Sequence, residues 1–298
     1  MKIAYLILAH QNISQLALLI DLLTYENHNY CFLHLDARVY SPSAIKQLKK
    51  ETKSKNWHSI TGRSYINWGG FSMVEATLNL LIDALNFKTK EFDYVSLHSG
   101  MDLPIKNNQQ IEKYLITNHG KQFIDYFELP NYKNWGGNGG LDRVNYYWLI
   151  DELGVIEAQK IVDAQKAIKM EKPQSGFSAK IYGGSQWWTI TSDCAKYIIN
   201  FLNDTPRFYH FFKYAYIADE LFFQTIILNS PHKHQVENNN LRVIDWKSGP
   251  NYPKIFNIND IENLEFTTSL FARKFDVRYD EQIIVYLKNK IHASSYPN

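Results

Sequence analysis

Met1-Lys2-Ile3-Ala4-Tyr5-Leu6-Ile7-Leu8-Ala9-His10-Gln11-Asn12 opens the chain, and the reading of Ile3–Ala9 decides its fold. These seven apolar residues stop at the polar His10 and Gln11, with no small-residue cleavage site. A bilayer span needs about 20 apolar residues. The run therefore reads as a buried first strand, and neither leader nor anchor is expected. In Ile13–Leu23, which follows, Leu16, Leu19, Ile20 and Leu23 fall at helical spacing. Tyr30–Leu35 is a second short apolar run and closes on Asp36. Strand, helix and strand at this size form a β-α-β unit, which implies parallel strands. Sheets of that kind bind ligands at the carboxyl ends of their strands. His10 and Asp36 occupy two of those ends.

The 298 residues carry 32 Lys and Arg against 30 Asp and Glu, and 45% are hydrophobic. A net charge of +2 offers no footprint for a nucleic acid. Length alone suggests about two domains. No repeat or linker interrupts the chain, so one α/β domain is the simplest account, with 1–127 as nucleotide-binding half and 128–298 as acceptor and catalytic half. Aromatic residues are abundant, with 20 Tyr, 17 Phe and 7 Trp. They serve cores, and they also line carbohydrate sites by stacking on sugar faces. Cys31 and Cys194 are the two cysteines, so no disulfide framework is implied and a cytoplasmic setting is expected.

Further along, Ser41–Lys55 reads as a polar helix bearing Lys46, Lys49, Lys50, Lys53 and Lys55. Such a run is a solvated face, with weak peripheral contact to anionic lipid headgroups as the alternative. Trp68-Gly69-Gly70 precedes Ser72 and Glu75, which are spaced as a capping box for a helix over Met73–Asn86. Phe92–His98 is a third strand, ending in Ser99-Gly100-Met101-Asp102-Leu103-Pro104-Ile105. Phe123–Phe127 is a further strand. Glu128–Tyr147, rich in Gly, Asn and aromatics, has the length of a lid or binding loop. Leu149–Met170 reads as an amphipathic helix or helix pair, Tyr182–Thr191 as a strand entered through a glycine turn, and Glu281–Ile291 as a C-terminal helix.

The chemistry centres on Ile217-Ala218-Asp219-Glu220-Leu221-Phe222. Asp219 is a good N-cap for an apolar helix. Glu220 then falls at the first helical position, where the helix dipole favours its ionised form and suits a general base. A merely capped helix is the plainer alternative. Arg242 and the pair Arg273-Lys274 sit among aromatic and aliphatic neighbours. Partly desolvated cations of this kind favour phosphate, although ordinary pairing with Asp245 or Asp276 would also use them. Phosphate-loop and dinucleotide fingerprints are absent. His232 and His234 lack further ligands at metal spacing. Ser99-Gly100 lacks a nucleophile elbow. No Asp-x-Asp follows the second or third strand.

Taken together, these stretches resemble the core-2/I-branching β-1,6-N-acetylglucosaminyltransferases, a family that includes the peptide xylosyltransferases and many bacterial members. The resemblance rests on Tyr5–Asn12, Phe32–Asp36, Asn67–Leu80, Tyr94–Lys106, Gly183–Thr191, Ala218–Gln224, Leu241–Trp246 and Leu270–Asp276, in family order. It implies a GT-A-like fold, with a Rossmann-type central mixed sheet flanked by helices, and an inverting transfer from a UDP-sugar that needs no metal. By motif position, Glu220 falls on the family's catalytic base, Arg242 and Lys274 on its diphosphate-binding cations, and Asp36 and Leu8 on its uridine pocket. His10 and Arg273 join the expected donor site. Trp68, Asp102 and Trp187 are expected to line the sugar site, and Glu128, Trp135 and Arg143 to contact the acceptor. The interval between Glu220 and Arg242 is shorter than in the animal branching enzymes, and their cysteine framework and anchor are missing.

The expectation is thus a bacterial enzyme acting on an oligosaccharide or lipid-linked saccharide of a surface polysaccharide or lipooligosaccharide. UDP-N-acetylglucosamine is the first donor considered; UDP-xylose, UDP-glucose and UDP-galactose stay open. Two alternatives stand beside it: an inactive carbohydrate-binding protein on the same fold, and a metal-dependent transferase with Asp219 and Glu220 as ligands.

Overall fold

The computed structural model describes residues 1–62, 65–87, 91–173, 179–250 and 253–293. Its strands are β1 Ile3–Ala9, β2 Tyr30–Leu35, β3 Trp57–Ser59, β4 Tyr94–Ser99, β5 Asp102–Pro104 and β6 Gln122–Ile124. β7 Phe127–Glu128, β8 Tyr182–Gly183, β9 Trp188–Thr191, β10 Val236–Glu237, β11 Arg242–Ile244 and β12 Phe271–Arg273 complete the set. Seven of them form one mixed sheet in the order β10-β6-β9-β4-β1-β2-β3. β1 runs parallel to both β2 and β4, as the opening β-α-β unit requires, whereas β9 is antiparallel to β4 and β6. A smaller sheet, β11-β12-β5, stands apart. Both sheets draw strands from each side of residue 127.

β1 sits at the centre because both of its faces are apolar. Strand side chains alternate, so Ala4, Leu6 and Leu8 enter one core layer while Ile3, Tyr5, Ile7 and Ala9 enter the other. The first layer is covered by the helices Ser72–Leu85, Ser192–Asp204 and Phe222–Leu228. The second is covered by Ile13–Leu23, Asn108–Thr117 and Glu281–Ala293. Helices on both faces of a mixed sheet match the expected architecture. Cys31 and Cys194 are free and buried. No helix among the described residues is long and apolar enough to cross a membrane.

Several local expectations are corrected. The lysine-rich helix stops at Glu51, and Thr52 leaves it in an extended conformation before β3. The expected strand Phe123–Phe127 is split between β6 and β7. The glycine-rich loop contains two single turns of helix, Tyr132–Trp135 and Asp142–Asn145. By contrast, Leu149–Met170, read as a helix or helix pair, is indeed a pair within Ile150–Ala167, broken at Gly154 with φ 77°.

The most informative correction lies at Ser72. No capping box forms with Glu75, whose carboxylate receives the Tyr209 hydroxyl instead. Asp151 supplies the cap from a distant helix, accepting from the Ser72 N–H at 2.9 Å and from its hydroxyl at 2.6 Å. The open first turn of a helix needs such an acceptor. Gly70 makes room for it, because a Cβ there would lie 2.3 Å from the Asp151 carboxylate.

Candidate active site

The first group gathers at the carboxyl ends of β1 and β2. Leu8 is buried within β1, while His10 is exposed just beyond it. Asp36 is only 1% exposed. Its carboxylate accepts from Arg38 Nε at 2.7 Å and Nη2 at 2.6 Å, and from the Ile66 N–H at 3.0 Å. Burial pushes the Asp36 carboxyl up, but the hydrogen bonds and charge of Arg38 prevail and leave it at about 2. Arg38 also donates to the Ile66 carbonyl, pinning the segment before Trp68. The Asp36 carboxylate, expected in the uridine pocket, is engaged by Arg38 and the Ile66 amide. Burial draws the His10 imidazole down; Asp36 opposes the fall, and Arg38, Arg273 and Lys274 add to it.

The second group is set by strand register. Arg273 on β12 stands opposite Asp102 on β5, and Arg242 lies on β11 beside them. Arg273 Nε is 3.2 Å from Asp102 Oδ1, and Arg242 Nε is 3.8 Å from Oδ2. His98 Nδ1 is 3.4 Å from the same Oδ2. Burial pulls the His98 imidazole down to about 4, helped by Arg242, so it is neutral.

Two expectations change here. Asp102 lines no open sugar site, because its side chain is 0% exposed. The Arg242 side chain is likewise 0% exposed and donates to the carbonyls of Asn240 and Leu97, so it opens onto no cleft. Arg273 is the guanidinium with an exposed edge, 15% of its side chain, and its Cζ lies 4.2 Å above the ring of Trp187. Lys274 is half-buried next to it. Its ammonium is pulled down by burial and then by Arg273, while Asp276 opposes. Asp245 and Asp276 do not take up these cations. Asp245 accepts from the Lys247 and Ser248 amides, and Asp276 is bidentate to Arg278.

The third group surrounds Glu220. Ile217 adopts a left-handed conformation with φ 51°, and its N–H donates to Gly69 at 2.8 Å. Ala218–Glu220 is a single 3-10 turn, and the apolar helix begins later, at Phe222. Asp219 is therefore not its side-chain cap, and Glu220 is not its first residue. Burial raises the Glu220 carboxyl above its ordinary value, and the charge and hydrogen bond of Arg143 limit that rise. Glu220 Oε2 accepts from Arg143 Nη1 at 3.0 Å, with the two side chains 27% and 18% exposed. Asp219 is buried, and that burial, with the charge of Glu220, pushes it up to about 7.

An aromatic wall holds Arg143. Its Cζ lies 3.7 Å above Trp135 and 5.9 Å from the Tyr216 ring centre. Tyr216 stacks on Trp148 at 4.5 Å, and Trp68, 65% exposed, meets Tyr216 edge-on at 6.0 Å. Trp135 is wedged against Gly140 and Gly183 and acts as packing as much as surface. Glu128 is exposed and paired with Lys180 at 2.8 Å, outside this gathering.

One short segment joins the second and third groups. The Gly184 N–H donates to the Glu220 carbonyl at 2.9 Å, Gln224 donates to the Ser185 carbonyl at 2.6 Å, and Trp187 lies beneath Arg273. The backbone of Glu220 and the guanidinium of Arg273 thus both touch this segment, one at Gly184 and the other at Trp187. Arg38, His98 and Tyr216 were not singled out in the sequence. Arg38 could have been, since a basic residue two positions after a strand-end Asp can fold back on it.

Comparisons with known proteins bear on the family of the chain. Xylosyltransferase 2 of Canis lupus familiaris is 25% identical over 325 residues, covering 99% of this chain and 34% of its own length. A xylosyltransferase of Ciona intestinalis is 24% identical over 315 residues, covering 99% and 35% respectively. The chain spans about a third of the length of the curated relatives it matches. The crystal structure of mouse xyloside xylosyltransferase 1, apo form, aligns with 91% of this chain and 97% of that one, at 13% identity and a TM-score of 0.41. The family model described as Core-2/I-Branching enzyme matches residues 3–269, and the chain belongs to that family.

Proposed function

We propose that the chain is an inverting glycosyltransferase that moves a sugar from a UDP-sugar to a saccharide hydroxyl without a metal ion. The observation that carries this reading is the pairing of Glu220, held by Arg143, with Arg273 and Lys274 at the other end of Gly184–Trp187. Glu220 takes the proton of the acceptor hydroxyl as its oxygen attacks C1 of the donor sugar. The C1–O bond to the diphosphate breaks on the opposite face, and Arg273 and Lys274 stabilise the charge that collects on UDP. Arg242 supports this end from beneath, through Asp102.

The exposed Trp68 and the Tyr216–Trp148 stack supply flat apolar faces beside Glu220, which suit a sugar ring in the acceptor. An oligosaccharide or lipid-linked saccharide of a bacterial surface polysaccharide or lipooligosaccharide, met in the cytoplasm, completes the proposal. Free, buried cysteines favour that compartment. The names of the xylosyltransferase relatives are the reason to try UDP-xylose alongside UDP-N-acetylglucosamine first.

UDP release from a panel of UDP-sugars, with and without EDTA, tests the reading. Turnover of one donor that survives EDTA is the expected result. Dependence on added manganese would move Asp219 and Glu220 from base to ligands, although among the described residues no third His, Cys, Asp or Glu groups with them. Binding of a UDP-sugar without turnover towards any saccharide would leave a carbohydrate-binding protein.

A further inference from the structure

Trp68 is 65% exposed and meets Tyr216 edge-on, so its place is set mainly by the backbone that carries it. That backbone, Asn67–Ser72, is closed by one carboxylate from far along the chain. Asp151, in the first turn of Ile150–Ala167, accepts from the Ser72 N–H at 2.9 Å through Oδ2 and from the Ser72 hydroxyl at 2.6 Å through Oδ1. On the other side of the loop, Oδ1 also accepts from Asn67 Nδ2 at 3.2 Å, and the Asp151 carbonyl accepts from the same nitrogen at 3.3 Å. The Asn67 N–H donates to the Ser72 hydroxyl at 3.0 Å, and the Gly70 N–H to the Asn67 carbonyl at 3.0 Å. Capping the helix would need Ser72 alone. The reach to Asn67 makes the carboxylate a clasp across both ends of Trp68-Gly69-Gly70. The Gly69 carbonyl accepts from the Ile217 N–H at 2.8 Å, and the Ile217 carbonyl accepts from the Glu220 N–H at 3.1 Å. The clasped loop is therefore tied to the turn that carries Glu220.

We propose that Asp151 is a positioning residue for the acceptor. It sets where Trp68 stands relative to Glu220, and so how well a sugar ring rests on that tryptophan while its hydroxyl meets the carboxylate. Its effect passes through Trp68. The inference rests on the reading of Trp68 as an acceptor face, but the placement of Trp68 can be followed without any sugar transfer.

The test is fluorine NMR of the full chain labelled with 5-fluorotryptophan, in which each of the 7 Trp gives a line and Trp68→Phe identifies that of Trp68. Asp151→Ala should shift or broaden the Trp68 line and leave Trp57 and Trp188, set in the large sheet, in place. Gly70→Ala is a second route to the same state, because its Cβ would lie 2.3 Å from the Asp151 carboxylate and drive it off. The double variant should then be no worse than either single one, since both break one contact. Asp151→Asn keeps an oxygen for the Ser72 N–H and should recover part of the wild-type line. With p-nitrophenyl glycosides as acceptor probes, Asp151→Ala should raise the acceptor KM about tenfold, the worth of one aromatic contact, with little change in kcat. Its affinity for UDP by calorimetry should match the wild type. A Trp68 line that stays put in both single variants would reduce Asp151 to a helix cap and overturn the proposal. Movement of all the tryptophan lines together would make it a general prop of the fold, with the same result. So would a displaced Trp68 with an unchanged acceptor KM. Absence of turnover with every UDP-sugar would sink the enzymatic reading; the Trp68 line and its response to added glycoside would still decide whether Asp151 places a sugar-binding face.

Discussion

The cation end and the carboxylate end of the site are built on opposite plans. Arg242, Arg273, Asp102 and His98 are held by the register of a three-stranded sheet, with side chains between 0 and 15% exposed. Glu220 and Arg143 sit on a single 3-10 turn and a short helical turn, backed by aromatic rings, and remain 27% and 18% exposed. A leaving group of constant shape can be met by fixed charges, which cost no reorganisation as the bond breaks. An acceptor hydroxyl arrives on a larger molecule, and its base is better carried on a surface that lets that molecule in. Fixed geometry and open access are thus divided between two ends of one segment, Gly184–Trp187.

The comparison breaks most sharply at Glu220. Glu220→Gln should lower transfer by about two to four orders of magnitude, the usual worth of a general base, while leaving the affinity for UDP unchanged. Radiochemical transfer and calorimetry on the same preparation check this, and a variant with normal turnover would remove Glu220 from the mechanism.

A smaller effect is expected at Arg143, which holds the Glu220 carboxyl down against burial. In Arg143→Met that restraint is gone, so Glu220 stays protonated to higher pH. The acid limb of the kcat/KM profile should move to higher pH, with little change well above it. A limb that stays in place would show that Arg143 serves only packing against Trp135.

The smallest effect concerns stability. Asp219 is held protonated up to about 7 in the folded chain, against an ordinary value near 3.8. Between those values the folded state binds a proton that the unfolded state has released, so stability falls as pH rises. Asp219→Asn should therefore melt at a higher temperature than the wild type at pH 8 and show little difference at pH 4. Equal gains at both values would point to packing and not to charge.

The sequence disclosed what depends on local pattern. Ile3–Ala9, Ile13–Leu23 and Tyr30–Leu35 were legible because apolar runs and helical spacing are properties of consecutive residues. Glu220 was legible as an acid at a break before an apolar helix, although the break is a 3-10 turn. What stayed hidden depends on residues far apart in the chain. Asp151 capping Ser72, Arg143 reaching Glu220 and Asp102 facing Arg273 are fixed by packing and register. No spacing rule reports them. Arg242 illustrates the cost: its flanking residues gave the right chemical character, but burial turned its guanidinium inward, to Leu97 and Asn240.

The β5–β12 pairing also has a consequence in time. Asp102 leaves the ribosome roughly 170 residues before Arg273, and at about 5–20 residues per second that is an interval of some 10 to 30 seconds. For most of it the nascent chain can form β1, β2 and β4, yet it holds a carboxylate without either of its guanidinium partners, Arg242 and Arg273. The charge that completes this corner arrives late, so a chain cut short between Arg242 and Arg273 keeps Asp102 with one of its two guanidinium partners. The cell's proteases would find such fragments easier to open than the finished molecule.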